Sequence, residues 1–362
     1  MTASHPIAPH TARSTPAIVW PDAQRQQQFE SWLAALAPGF GIDVGTLHPA
    51  SADASFRRYF RVQAQAGPLI IMDAPPPLED VRPFMHVAGL ISTAGLHGPR
   101  VLAFDAALGF LLLTDLGRVL YLDALQAAGR PQADALIRDA TRALLHWQRE
   151  VPAAELPPYD EALLARELAL FPEWCVAREC GVTWNDAERA TWERMCRLLI
   201  GSALAQPTVA VHRDWMPRNL MVADPNPGIL DFQDAVRGPI TYDLASLLRD
   251  AFISWDEDIE LDWAVRYWEQ ARRAGLPLGE AMGHDFGEFW RALEWMGLQR
   301  HLKVLGIFAR LNYRDGKSAY LADTPRFIGY ARAVAQRYHE LAPLARLLDR
   351  LEARVPATGY TF

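Results

Sequence analysis

Lysine is almost missing from this chain. Of the 36 basic residues only Lys303 and Lys317 are lysines, and the first 302 residues contain none. Any chemistry in that stretch that needs a fixed positive charge must use arginine, whose planar fork grips oxygen pairs of phosphate or carboxylate. A basic excess is missing too. The 36 Lys and Arg face 43 Asp and Glu, a formal net charge of −7, which argues against a surface built to coat nucleic acid or anionic lipid. No apolar run approaches the ~18 residues of a membrane span; the best are Phe110 to Leu113 and Val304 to Phe308. Cysteine is scarce, and Cys175, Cys180 and Cys196 are odd in number with no CxxC pair, so neither a disulfide framework nor a zinc site is expected. Residues 1–21 lack a basic segment followed by an apolar one. They are predicted to be a mobile Pro-rich tail rather than a signal peptide, and the protein is expected in the cytoplasm.

What is present is a globular balance. The 362 residues are 50% hydrophobic and 22% charged, with a length prior of about two domains. Phe29, Leu33 and Leu36 mark an amphipathic helix over residues 22–37. From Gly39 to Gly117 the texture is short β-type runs, at 44–48, 56–63, 69–73, 100–105 and 109–114, with one helix near 80–94. Beyond Val119 long helical periods dominate, near 131–150, 160–178, 186–204, 257–274, 285–310 and 326–353. The expected fold is therefore α+β: a small β-rich lobe with one main helix over 22–117 and a large, mostly helical lobe over 118–362.

Within the helical part lies a β-loop island between Thr208 and Pro239. It carries His212-Arg213-Asp214-Trp215-Met216-Pro217-Arg218-Asn219 and then Asp231-Phe232. Phosphoryl transfer needs a carboxylate to take the proton of the attacking hydroxyl and oxygen ligands to hold Mg²⁺ against nucleotide phosphates. His212, Asp214 and Asn219 follow the H-x-D-x-x-x-x-N order, with the Asp-Phe pair twelve residues later. Chance supplies roughly 0.008 such matches in a chain of this composition. Taken singly, each residue would more ordinarily cap a turn; in this order they point to a kinase.

On these residues the sequence resembles the aminoglycoside phosphotransferase and choline kinase branch of the protein-kinase-like fold, from Asp22 onward. Within it the chain looks most like bacterial cell-wall amino-sugar kinases, which phosphorylate the anomeric hydroxyl of N-acetylmuramate and N-acetylglucosamine. The closer likeness rests on S-A-D-A-S-F-R-R-Y-F-R at 51–61, M-D-A-P-P at 72–76, the catalytic loop at 212–219, L-D-F-Q-D-A at 230–235, G-P-I-T-Y-D-L-A-S-L at 238–247 and Q-R-H-L-K-V-L-G at 299–306. The resemblance implies ATP and Mg²⁺ as cofactors, a small amino sugar as substrate, and a two-lobe fold. It makes Asp214 the catalytic base and Asn219 and Asp231 the metal ligands, with His212 and Asp243 supporting the catalytic loop. Independently, only about ten residues separate Asp231 from the following helix and no A-P-E is present. A regulated activation segment does not fit there, which disfavours protein substrates.

The chain departs from the pattern in its small lobe, because a kinase lysine is impossible there. By the two-residue period Arg58 shares a face with Phe60 and Val62, so Arg58 is expected to supply the missing cation at the nucleotide, while Glu79 is expected to lose its usual partner. Ser55, in a turn without the glycine pattern, is a second phosphate candidate. Leu113 and Asp115, in the segment resembling the inter-lobe hinge, are candidates for nucleotide binding. For the acceptor, Trp215 and Arg218 in the catalytic loop and Arg300 in the Gln299, Arg300, His301, Lys303 cluster are expected to bind the sugar. The acidic run Ser254 to Asp262 would alternatively suit an aminoglycoside or a choline-like amine, but Ser254 and Glu257 fit a capping box at a helix start. A non-catalytic pseudokinase is the alternative from another class; the intact Asp214, Asn219 and Asp231 set argues against it.

Overall fold

The computed structural model describes residues 18–52, 56–76 and 78–352. Most of the expected tail, and Ser55, lie outside the described residues. The chain divides into two compact units, one made of residues up to Met85 with Pro99–Asp115, the other of His86–Gly98 with the chain from Leu116 onward.

The first unit opens with α1 (Ala23–Phe40), started by the Asp22 side chain accepting from Arg25 N–H at 2.7 Å and stopped by Gly41 in the left-handed region at φ 62°. A five-stranded antiparallel sheet follows, in the order β1 (Ile42–Ala52), β2 (Arg58–Ala64), β3 (Gly67–Asp73), β5 (Phe110–Thr114), β4 (Val101–Asp105). Helix α2 (Arg82–Thr93) lies between β3 and β4 in sequence. Phe29 and Leu33 of α1 pack on Phe60, Val62, Leu69, Ile71, Phe110 and Leu112, so one face of the sheet is roofed by α1. Gly109, at φ 72°, lets the β4–β5 turn touch the end of β3. A Cβ there would fall 1.9 Å from the Ala74 carbonyl oxygen.

The second unit is mainly helical: α3 (Tyr121–Ala127), α4 (Arg130–Glu150), α5 (Glu161–Leu170) continued by a π-helical stretch over Phe171–Glu179, and α6 (Asp186–Leu204). The island then forms two small antiparallel pairs, β6 (Thr208–Val211) with β9 (Val236–Pro239), and β7 (Leu220–Met221) with β8 (Gly228–Ile229). After it come α7 (Tyr242–Leu248), α8 (Glu257–Arg273), α9 (Glu280–His284), α10 (Phe286–Asp315), α11 (Thr324–Arg337) and α12 (Ala342–Glu352). The thirty-residue α10 is buried through most of its length. At Gly306 a Cβ would lie 2.4 Å from the Leu170 backbone carbon, so α5 and α10 meet almost backbone to backbone.

Two helix expectations are corrected. The helix expected over 326–353 is two, separated by a 3-10 turn at His339–Leu341. Pro343 is the reason: its ring is tolerated only in a first helical turn, so a new helix begins at Ala342. The capping box of Ser254 and Glu257 is not formed, since α8 has Asp256 at its N-cap and Ser254 Oγ accepts from Tyr330 OH at 2.7 Å. The acids still serve the helix start, with Glu257, Asp258 and Glu260 in the first turn.

Candidate active site

The loop carrying Asp214 leaves β6, whose Val209, Ala210 and Val211 are buried, and its first two residues are gripped by Asp243. Asp243, in the first turn of α7 and fully buried, accepts from His212 N–H at 2.7 Å and from Arg213 N–H at 2.9 Å, one oxygen each. Burial pushes the Asp243 carboxyl up to about 7, against the pull of those two N–H donors. With its backbone gripped there, Arg213 takes a positive φ of 75°, and Asp214 follows.

His212 is also fully buried, and burial lowers its imidazole to about 4, so the ring is neutral at physiological pH. Its Nδ1 accepts from Asp214 N–H at 3.3 Å, which places the ring proton on Nε2. Its ring meets Trp147 and Trp215 edge-on, at 6.0 and 5.4 Å. His212 is thus a rigid strut for the loop.

Asn219 closes the loop. Its Nδ2 donates to the Asp214 carbonyl at 3.0 Å and to Asp231 Oδ2 at 3.3 Å, while Leu230 N–H donates to the Asn219 carbonyl at 2.9 Å. Asp231 sits at φ 59°, with Gln233 Nε2 donating to its Oδ1 at 2.7 Å. The structure therefore brings Asp214, Asn219 and Asp231 together. With both Nδ2 contacts made, the Asn219 amide oxygen and the Asp231 carboxylate are a hard-oxygen pair of the type Mg²⁺ prefers. Magnesium keeps several waters and takes phosphate oxygens, so two protein ligands suffice. Among the described residues no group of three His, Cys, Asp or Glu forms a metal cluster. The Asp214 carboxylate, half-buried, makes no hydrogen bond to a described residue, which leaves it open for an incoming hydroxyl.

Behind the loop lies an ionic network that the sequence did not reveal. Glu167 of α5 pairs with Arg213 and with Lys303 Nζ at 3.0 Å, and accepts from Tyr159 OH and from Gln299 Nε2 at 3.3 Å. Burial alone would raise the Glu167 carboxyl, but Lys303 and Arg213 outweigh it and hold the group at about 2. Lys303 also donates to Tyr242 OH at 3.1 Å. Gln299 and Lys303 therefore serve this network, and His301 is buried with Nε2 against the Arg249 carbonyl at 3.3 Å. Of that cluster only Arg300 reaches toward the catalytic loop, its Nη2 lying 3.7 Å from Met216 Sδ.

The other acceptor candidates separate. Trp215 is fully buried and packs on His212, so it is a packing residue of the loop rather than an open sugar platform. Arg218 is exposed, with its guanidinium over Phe252 at 5.1 Å and Tyr320 at 5.6 Å.

In the first unit the face assigned to Arg58 is corrected. Arg58 does lie with Phe60 and Val62, but that face is the one α1 roofs. Its guanidinium pairs with Asp73, donates to the Val19 carbonyl at 2.8 Å and stacks over Trp20 at 4.6 Å. Asp73 is shared with Arg25. Glu79 is not partnerless: it lies 3.4 Å from Arg57 and accepts from Phe56 N–H at 3.2 Å. Asp115 holds Arg61 in a two-point ion pair at 2.5 and 2.9 Å, and Leu113 is buried in β5, paired with Ile70 and Val101.

A small antiparallel sheet, a helical unit, and a loop that presents an open carboxylate beside an Asn/Asp oxygen pair define a kinase-like phosphotransferase. The comparisons make this particular: the chain belongs to the phosphotransferase enzyme family, which matches residues 46–278. Curated relatives named N-acetylmuramate/N-acetylglucosamine kinase include one from Pseudomonas putida, 51% identical over 95% of this chain and 98% of its own. Another, from Pseudomonas aeruginosa, is 52% identical over 91% and 98%. Among solved structures, an ethanolamine kinase from Plasmodium vivax shares the fold at a TM-score of 0.60 and 10% identity, over 92% of this chain and 90% of its own. An ADP-bound aminoglycoside phosphotransferase does so at 0.54 and 13%, over 85% and 97%. Among the described residues no helix is long and apolar enough to cross a membrane.

Proposed function

We propose that this protein is an ATP-dependent, Mg²⁺-assisted kinase that phosphorylates the anomeric hydroxyl of N-acetylmuramate and N-acetylglucosamine. The observation that carries the chemistry is the Asp214, Asn219 and Asp231 constellation, with Asp214 unengaged and the other two hydrogen-bonded at 3.3 Å. The names of relatives about half identical along nearly the whole chain support the substrate class.

Asp214 accepts the hydrogen bond of the sugar hydroxyl, orients its oxygen for in-line attack on the γ-phosphorus, and takes the proton as the new P–O bond forms and the bond from the γ-phosphorus to the β,γ-bridging oxygen breaks, releasing ADP. The anomeric hydroxyl is more acidic than an ordinary alcohol, so a weak base is enough. Asn219 and Asp231 would hold Mg²⁺, which when bound spreads the developing phosphate charge. Asp243 and His212 keep the Asp214 backbone in place through the contacts given above. In the first unit, Arg57 is the arginine whose guanidinium, held by Glu79, best suits the nucleotide phosphates in place of lysine.

The test is an ATP-consumption assay over N-acetyl amino sugars, aminoglycosides and choline, with the phosphorylated position found by NMR. Turnover confined to the two amino sugars, with phosphate on C1, is expected. Preferential turnover of an aminoglycoside or choline would refute the substrate, and absence of turnover with a Mg²⁺-dependent thermal shift by ATP would refute the enzyme.

A further inference from the structure

The Asp231 carboxylate takes a side-chain donor on each oxygen. Asn219 Nδ2 reaches Oδ2 at 3.3 Å, and Gln233 Nε2 reaches Oδ1 at 2.7 Å, the shorter of the two. Asn219 also offers its own amide oxygen to a metal, whereas Gln233 bears on the chemistry through Asp231.

The orientation of the Gln233 amide is forced by its neighbours. Its Nε2 faces Asp231 Oδ1 and, at 3.4 Å, Asp234 Oδ2. Ionised carboxylates only accept, so the nitrogen and not the amide oxygen must turn toward both. Gln233 therefore acts on Asp231 as a donor rather than as one more oxygen ligand beside it.

The chain around Gln233 holds that donor still. Ala235 N–H donates to the Phe232 carbonyl at 3.1 Å, closing a turn with Gln233 and Asp234 at its centre. Phe232 and Ala235 are both buried, so the two ends of the turn are fixed in the core. Its middle is tied down as well, because Arg213 Nη1 donates to the Asp234 carbonyl at 3.3 Å while Glu167 grips the same guanidinium. Asp231 itself stands at φ 59°, a left-handed conformation uncommon outside glycine, asparagine and aspartate. Leu230 N–H on the Asn219 carbonyl fixes the chain on one side of it, and buried Phe232 fixes the other. The backbone thus aims the Asp231 carboxylate, and the Gln233 and Asn219 amides keep it from rotating.

A carboxylate that captures a cation gives up rotation about its last bond, and one already pinned loses less on binding. Carboxylates that ligate metals are themselves hydrogen-bonded in this way, and removing such a partner weakens metal binding by about 10–100-fold.

Resting on the reading of Asn219 and Asp231 as the Mg²⁺ ligands, we propose that Gln233 is the positioning residue of the metal site. Its amide N–H sets how tightly the enzyme holds Mg²⁺, and it acts through Asp231 without touching metal, nucleotide or sugar.

Isothermal titration calorimetry of the full chain with a non-hydrolysable ATP analogue, once with saturating Mg²⁺ and once with EDTA, tests this. The ratio of the two affinities measures what the metal contributes. In Gln233→Met, which keeps the length and loses the donor, affinity with Mg²⁺ should fall by about 10–100-fold, while affinity in EDTA stays at the wild-type value. The melting temperature should stay within about 2 °C of wild type, since the side chain is half-buried in a turn. Equal weakening with and without Mg²⁺ would make Gln233 a structural or nucleotide-binding residue and sink the metal role. Asp231→Asn separates the two levels. If it abolishes the Mg²⁺ contribution and Gln233→Met leaves that contribution intact, the positioning role alone is refuted. If Asp231→Asn itself leaves the contribution intact, the metal assignment beneath it is refuted. Should Gln233→Met fail to fold, Gln233→Ala removes the same donor and is read in the same way.

Discussion

Glu167→Gln removes one charge and almost no volume, and its consequence is calculable. The carboxyl is held at about 2 against an ordinary 4.5. At about 1.4 kcal/mol per unit, the ionised form gains about 3 kcal/mol from its native surroundings. An independent route agrees: removing one partner of a buried ion pair costs about 3–5 kcal/mol, because Lys303 and Arg213 would be left buried and facing one another. For a unit of about 260 residues, where 1 kcal/mol moves the melting temperature by about 2–4 °C, the variant should melt about 6–12 °C lower at neutral pH. The sign with pH follows from the lowered value. Stability from Glu167 is fully present above about pH 4.5 and is lost as pH falls toward 2, so the gap between wild type and variant should close on acidification. Thermal melts followed by circular dichroism between pH 3 and 7 measure both effects. A shift under about 2 °C at pH 7, or a gap that does not narrow with acid, would refute the network as described. The Lys303→Met change on its own and combined with Glu167→Gln completes a cycle in which the two losses should be clearly non-additive.

Asp214→Asn should keep Mg²⁺-dependent nucleotide binding, read by thermal shift, while turnover falls by about 10²–10⁴-fold, the usual worth of a general base; a near-normal rate would remove Asp214 from that role. Arg57→Gln and Arg58→Gln should fail differently. The first should raise the KM for ATP with a small effect on melting, whereas the second should lower the melting temperature by stripping Asp73 of a partner and leave the KM for ATP near wild type. The reverse pattern would return the phosphate role to Arg58.

What was legible in the sequence was what is contiguous. His212 to Asn219 form one loop, and the spacing to Asp231 and then Asp243 is set by three short strands, β7, β8 and β9, and the turns between them, so order along the chain carries their geometry. Alternation in β2 correctly put Arg58 with Phe60 and Val62, but period two says which residues share a face and not what covers that face; α1 decided that. The Gln299 to Lys303 cluster failed for a related reason. On a helix buried nearly all round, neighbours in sequence point to different partners, so Gln299 and Lys303 turn to Glu167 while Arg300 turns to Met216. Glu167 was invisible because its partners lie 46 and 136 positions away and no local pattern links them. Trp215 looked displayed because it stands in a functional loop, yet packing on His212 claims it.

The scarce lysine and the short segment after Asp231 belong to one physical solution. In regulated kinases an activation segment is ordered when a new phosphate pairs with arginine, so the site waits for a modification. Here Arg213, which precedes Asp214, already has its anion, because Glu167 supplies a buried carboxylate that needs no modification. One carboxylate facing an arginine and a lysine would leave surplus positive charge. Tyr159 donates to Glu167, and Tyr242 accepts from Lys303, so both hydroxyls are hydrogen-bonded to the set. With Arg213 held chiefly by Glu167, the ten residues between Asp231 and α7 form a turn and β9, and add Gln233 Nε2 on Asp231 Oδ1 at 2.7 Å and the Asp234 carbonyl on Arg213 Nη1 at 3.3 Å. Lys303 is committed to this internal support through Glu167 and Tyr242, which is why the proposed function gives the phosphate role to an arginine. A loop held in this way is in place without any modification, from the buried Glu167 on one side and Asp243 on the other.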